Sequence, residues 1–159
     1  LRTQPPVDVS AMDGYAVRSE DITSAPTDLK VIGEVAAGPP FTGEVRPGQA
    51  ARIFTGGELP AGADTIVVQE DTRRDGDNVI VTEVPRKGRH IRAAGLDFKQ
   101  GETLLTRGRV LSGRDLGLAA AMNHPILPVH RKPRVALLAT GDELVLPGRQ
   151  PGPGQIVYS

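Results

Sequence analysis

Four short segments of this 159-residue sequence combine residue types that can handle cations, oxyanions or phosphate groups. In SAMDGYAVR, Ser10 to Arg18, a carboxylate at Asp13 precedes Gly14. A glycine there lets the backbone turn tightly and bring Asp13 close to a cation or a substrate group, although an Asp in such a turn equally bonds its own backbone. In RIFTGGELPAGAD, Arg52 to Asp64, a strand pattern ends at Thr55 and runs straight into Gly56 and Gly57. Two glycines after a strand can point consecutive N–H groups one way and form an anion-binding nest, with the Thr55 hydroxyl as a further donor. The same residues also suit an ordinary strand-ending turn. In RKGRHIRAAGLDFKQGE, the cations Arg86, Lys87, Arg89 and Arg92 precede the single carboxylate Asp97. They could grip a phosphate or form a solvated loop. In ATGDEL, Ala139 to Leu144, the adjacent carboxylates Asp142 and Glu143 suit a hard divalent cation that bridges phosphate oxygens. A helix N-terminus favours acidic residues for purely structural reasons, so that reading stays open too.

Several chemistries are set aside by what is missing. Neither GxxxxGK[ST] nor GxGxxG occurs, so the common nucleotide cradles are absent. His90, His124 and His130 show no ligand spacing with one another, which argues against a zinc site or a histidine-based triad. With no cysteine there is no disulfide framework or thiolate chemistry, and a cytoplasmic location is the default. Nineteen Lys and Arg balance nineteen Asp and Glu, so no global field favours nucleic acid or an anionic membrane. No apolar run approaches the ~20 residues needed to span a bilayer.

The elements that must position these segments are short. Nineteen Gly and fourteen Pro favour many defined turns, and with three Phe, two Tyr and no Trp the core must be built from Val, Leu, Ile and Ala. Between Leu29 and Val84 the runs LKVIGEVA, QAARIF, DTIVVQE and NVIVTEV recur between turn signals, which predicts a small β domain. DTIVVQE and NVIVTEV flank Asp75, Gly76, Asp77 and Asn78, a hairpin signal that makes Glu70 to Asp77 a solvated turn. Leu111, Leu116, Leu118, Ala119 and Met122 recur at helical spacing, so a helix is expected over 112–122, capped by Ser112 and Asp115 and stopped by Asn123 and Pro125. The apolar run Val135 to Ala139 then reads as a strand buried on both faces, the first of a parallel α/β domain whose ligand crevice would lie at ATGDEL. The fold class is therefore α+β, and the sequence reads as a fragment of a longer chain.

The order and wording of SAMDGYAVR, RIFTGGELPAGADTIVVQE, HIRAAGLDFKQGE and ATGDELVLPG followed by GQIVYS resemble the molybdopterin molybdenumtransferases. That family includes the bacterial MoeA proteins and the gephyrin E domain. The resemblance implies an enzyme that converts adenylylated molybdopterin and molybdate to molybdenum cofactor and AMP with Mg²⁺, as a homodimer. It also implies a division into a β-rich inserted domain at 1–98, part of a linker domain at 99–124, and the start of a pterin-binding α/β domain at 125–159. By motif position, Asp13, Thr55, Asp97 and Glu143 match residues lining the family's cleft. The resemblance makes these four the catalytic set, with Asp13 and Thr55 positioning substrate or molybdate. Thr55, Gly56, Gly57 and Arg92 are then assigned to substrate binding, and Asp97, Asp142 and Glu143 to the metal. One departure is Leu96, which stands before Asp97 where the family often has an acidic residue. The rival reading is a non-enzymatic dimeric scaffold of the gephyrin type. The acidic set, with none of Asp13, Thr55 or Glu143 replaced, points to the enzyme, and residues 1–159 alone are expected to be inactive.

Overall fold

The structure is a computed structural model that describes residues 2–158, and the chain divides into two units, Leu1–Pro125 and Ile126–Ser159. In the first unit the strands are β1 (Val9–Ser10), β2 (Gly14–Val17), β3 (Thr27–Val35), β4 (Gln49–Ile53), β5 (Thr65–Val68), β6 (Thr72–Asp75), β7 (Asn78–Val81) and β8 (Ile91–Arg92). They are followed by helix α1 (Gly113–Ala121). Six of the strands form one sheet in the order β5-β2-β4-β3-β7-β6, and β1 pairs antiparallel with β8.

This sheet has to curl. Its outermost strands, β5 and β6, are separated in the chain only by a single 3-10 turn, Gln69–Asp71. From Val68 to Thr72 the chain can reach ~14 Å at most. In a flat sheet of six strands spaced ~4.8 Å apart, the two edges would stand ~24 Å from one another. The curl gives the sheet an inner and an outer face, and both are filled. Tyr15, Val17, Leu29, Ala50, Val67, Val79 and Val81 pack together on one side. Ala16, Ala51, Ile53, Ile66, Val35 and Val45 pack on the other, joined by Phe41 and Leu59 from the connecting loops. Leu29, Val31 and Val35 have the same parity, so in a regular strand they would share a face. Between Val31 and Glu34 the register against β4 slips, with Val31 opposite Ala50 and Glu34 opposite Arg52. The one extra residue on β3 sends Val35 to the second of these clusters.

Two strand readings are corrected. The Asp-Gly hairpin exists, with Asp75 opposite Asn78, but its first arm is β6, not the DTIVVQE run. That run forms β5 and pairs with β2 at the other edge of the sheet, because the turn Gln69–Asp71 breaks the strand before the hairpin begins. In the second unit, Val135 to Ala139 forms no strand, and Val135, Leu137 and Leu138 are exposed. A parallel strand of this apolar type is stable only with neighbours on both sides, and the described residues supply none. Parallel pairing occurs instead between β9 (Leu144–Val145) and β10 (Ile156–Val157).

Helix α1 begins with a reciprocal capping box. The Asp115 N–H donates to Ser112 Oγ at 3.4 Å, while the Ser112 N–H and hydroxyl donate to the Asp115 carboxylate at 2.8 and 2.7 Å. Arg109 adds an ion pair at 2.8 Å. At the far end Met122 is the C-cap and Asn123 takes a left-handed conformation, φ 68°. No helix of the described residues is long and apolar enough to cross a membrane. The Ser112 N–H and hydroxyl, helped by Arg109, lower the Asp115 pKa from 3.8 to about 2. Because the folded value lies below the unfolded one, this stabilisation is complete above about pH 4 and is lost as pH falls toward 2. Replacing Ser112 with Ala should cost ~1 kcal/mol in helix stability at neutral pH. Hydrogen exchange of the α1 amides checks this, and the gap between variant and parent should narrow between pH 4 and 2.

Candidate functional site

Three of the four chemistry-bearing segments are stitched together by main-chain hydrogen bonds. The β1–β8 pair sets Ser10 opposite Ile91 and Val9 opposite Arg92. Ser10 also exchanges bonds with the glycine turn: its N–H donates to the Gly57 carbonyl, and the Gly56 N–H donates to its carbonyl, each at 2.9 Å. The buried Ser10 hydroxyl closes the loop by donating to the Met12 carbonyl at 2.6 Å, immediately before Asp13.

Gly14 serves this site through close approach. It is the first residue of β2, and a Cβ there would collide with the Val67 carbonyl of β5. Only glycine lets β5 pair tightly enough along this strand to fix the backbone that carries Asp13. Gly56 is required for a different reason, its φ of 83°.

The turn Thr55-Gly56-Gly57 does hold a carboxylate, and it is the protein's own. The Thr55 N–H and hydroxyl both donate to Asp13 Oδ1 at 2.8 Å. Gly56 N–H is taken by Ser10 and Gly57 N–H by the Phe54 carbonyl at 2.8 Å, so the donors that an external oxyanion would need are engaged. The Thr55 N–H, then its hydroxyl, hold the Asp13 pKa below its usual value against the opposing effect of burial, with a lesser contribution from the charge of Arg52. Asp13 Oδ2 accepts no hydrogen bond from the described residues. The result is an ionised, half-buried carboxylate with one oxygen clamped and the other presented. Such a group can accept a hydrogen bond or bind a cation, but it is a weak base at neutral pH.

Arg92 and Asp97, expected at a phosphate and a metal respectively, meet one another. Arg92 Nη2 lies 2.7 and 2.8 Å from the two Asp97 oxygens, with both side chains about two-fifths exposed. Of the remaining basic residues, Lys87 pairs with Asp64 at 3.2 Å and Arg89 with Asp71 at 4.0 Å. Asp64 is a structural hub. Burial works against its charge, but the Ser19 N–H and hydroxyl, the Thr65 hydroxyl and Lys87 together lower its pKa. Asp142 and Glu143 lie in the second unit, exposed, in a turn that leads into β9 and not at a helix N-terminus. Among the described residues no three or more His, Asp or Glu side chains assemble into a metal cage.

The pattern of motifs overlooked Arg52. Its guanidinium lies 5.3 Å from the Tyr15 ring centroid and 4.7 Å from that of Phe54, and donates to the Gly14 carbonyl and Gln69 Oε1 at 2.8 and 2.9 Å. A charged residue in the middle of the apolar run QAARIF was the available signal.

Residues 1–123 match the family model described as MoeA N-terminal region (domain I and II). The chain belongs to the MoeA family. A molybdopterin molybdenumtransferase of Nostoc sp. is 44% identical, the match covering 98% of this chain and 36% of the relative. Molybdopterin molybdenumtransferase 2 of Mycobacterium tuberculosis is 42% identical, over 98% of this chain and 39% of the relative. The crystal structure of the molybdopterin biosynthesis moeA protein from Pyrococcus horikoshii OT3 superposes with a TM-score of 0.89 at 36% identity, covering 99% of this chain and 43% of that one. The chain thus spans well under half the length of the MoeA relatives it matches, and its mostly β architecture with one helix matches the corresponding part of the Pyrococcus horikoshii structure.

Thr55→Val keeps the volume and the main-chain N–H but removes the hydroxyl donor from Asp13 Oδ1. The Asp13 carboxyl pKa should rise toward its ordinary value, as read by carbon-detected NMR titration. An unmoved titration curve would contradict the clamp.

Proposed function

We propose that the protein carrying this chain inserts molybdenum, converting adenylylated molybdopterin and molybdate to molybdenum cofactor and AMP. The observation that supports it best is the Asp13–Thr55 clamp, joined through β1–β8 to the Arg92–Asp97 pair. Family membership narrows the role to molybdenum cofactor biosynthesis, and the clamp suggests how this part of the protein contributes.

In this reading Asp13 Oδ2 accepts a hydrogen bond from the bound substrate or faces a cation. An ionised carboxylate repels a bare oxyanion, so Thr55 acts on molybdate only indirectly, by holding Asp13, while Gly56 and Gly57 shape the turn. An exposed ion pair contributes only ~0–1 kcal/mol. A substrate phosphate can therefore take Arg92 at little cost, and Asp97 is then released toward a cation. Mg²⁺ usually takes one or two carboxylates together with phosphate oxygens and water, and Asp142 and Glu143, both exposed, fit that mode. The ion would neutralise charge on the phosphoanhydride. The reading includes the division into domains at 1–98, 99–124 and 125–159, a homodimer formed through the linker region, a cytoplasmic location, and no turnover by residues 1–159 alone.

Asp13→Asn preserves shape and deletes the charge. In the whole protein, cofactor formation from adenylylated molybdopterin, molybdate and Mg²⁺ should fall by about 10- to 100-fold, with the melting temperature nearly unchanged. A large loss of stability with normal activity per folded molecule would make Asp13 a turn-stabilising residue and remove the proposal's main support.

A further inference from the structure

Arg52 forms no ion pair in direct contact with a carboxylate among the described residues; its hydrogen bonds go to a side-chain amide and a main-chain carbonyl, and it acts on Asp13 by charge at a distance. Its place is set by the two rings beside it. It sits on β4 opposite Tyr15 of β2, and its guanidinium lies against the Tyr15 and Phe54 rings, which fix its plane. Within that plane Nη1 donates to the Gly14 carbonyl, and Nη2 donates to Gln69 Oε1. Gln69 in turn donates its own N–H to the Asp13 carbonyl at 3.1 Å. The two successive carbonyls that flank the Asp13–Gly14 junction are therefore tied to one guanidinium, one directly and one through Gln69. Phe54 immediately precedes Thr55, whose N–H and hydroxyl grip Asp13 Oδ1. Arg52 thus holds the backbone that carries Asp13 and, by stacking on Phe54, the start of the turn that clamps its carboxylate.

We infer that Arg52 is the positioning residue for Asp13: its planar fork sets where the unclamped Oδ2 points. This rests on the proposed role of Asp13. A lysine keeps the charge but has one compact donor group with no plane to stack and no fork to span Gly14 and Gln69.

The test uses Arg52→Lys, with Arg52→Gln as a second variant, in the whole protein and in the Asp13→Asn background. Arg52→Lys should lower kcat by about 10- to 100-fold while changing KM less, since misplacement of a reacting group acts on the chemical step. In the Asp13→Asn background the same change should have almost no further effect, because a residue acting through Asp13 is coupled to it. Independently of turnover, both variants should raise the Asp13 carboxyl pKa in an NMR titration of this chain. An equal loss of kcat with and without Asp13, or an unmoved Asp13 titration, would overturn the inference. Full activity of Asp13→Asn would instead overturn the proposed function, and the NMR titration would then decide the positioning role alone.

Discussion

Strand β2 is hydrogen-bonded along both edges and buried on both faces, and the site is arranged around that constraint. Gly14, Tyr15, Ala16 and Val17 pair with β4 on one side and β5 on the other. A strand so enclosed has no freedom to shift register, since a slip by one residue would exchange Tyr15 and Val17 with Ala16 between two filled clusters. Its first residue must also lack a Cβ, because the Val67 main chain occupies that space. Asp13, one residue before this fixed point, inherits its precision from the sheet.

Several charged residues of the first unit pair with one another, and they do so with different strengths. Asp64 is held by a serine, a threonine and a lysine in a part-buried network that joins the Ser19 turn to the start of β5. The pair Arg92–Asp97 is exposed, a direct contact of one guanidinium nitrogen with one carboxylate that solvent screens. A ligand carrying several charges competes poorly with the first arrangement and easily with the second. This difference, more than the number of charged residues in each loop, separates scaffolding from a surface able to exchange partners.

Residue types announced some of this and not the rest. Ser112, Asp115 and Asn123 are local signals for a local structure, and the helix between them follows the spacing of its apolar residues. Asp13 and Thr55 stood out by type, but their mutual bond spans 42 positions, and no local pattern could show that the predicted oxyanion nest was filled from within. β2 was hidden because a strand buried on both faces shows no alternation, and its residues lay inside a motif that looked like a turn. β6, with the sequence TRRD at an exposed edge, has no apolar pattern at all and exists because β7 pairs with it. The opposite error occurred at Val135 to Ala139, where an apolar run of the right length lacks any strand to pair with among the described residues. Arg52 escaped notice because its role comes from ring stacking and carbonyl contacts, which depend on the curl of the sheet.

The electrostatic state of Asp13 limits the chemistry available to this part of the protein. Thr55 and Arg52 keep it ionised, so at neutral pH it neither supplies a proton nor readily takes one. His90, the nearest histidine in the chain to these loops, contributes its main-chain carbonyl to the Ala11 N–H, and its buried Nε2 has no hydrogen-bond partner. The hydrogen bonds of these loops therefore lay out no proton relay. What they offer is a fixed negative charge, a guanidinium in an exchangeable pair, and a rigid backbone under both. Group transfer at phosphorus depends mainly on positioning and charge stabilisation, with little covalent work for the protein to do. For the proposed reaction, the clamp that would spoil a general base would be an advantage, since it trades proton affinity for a charge whose position and state do not change with modest shifts in pH.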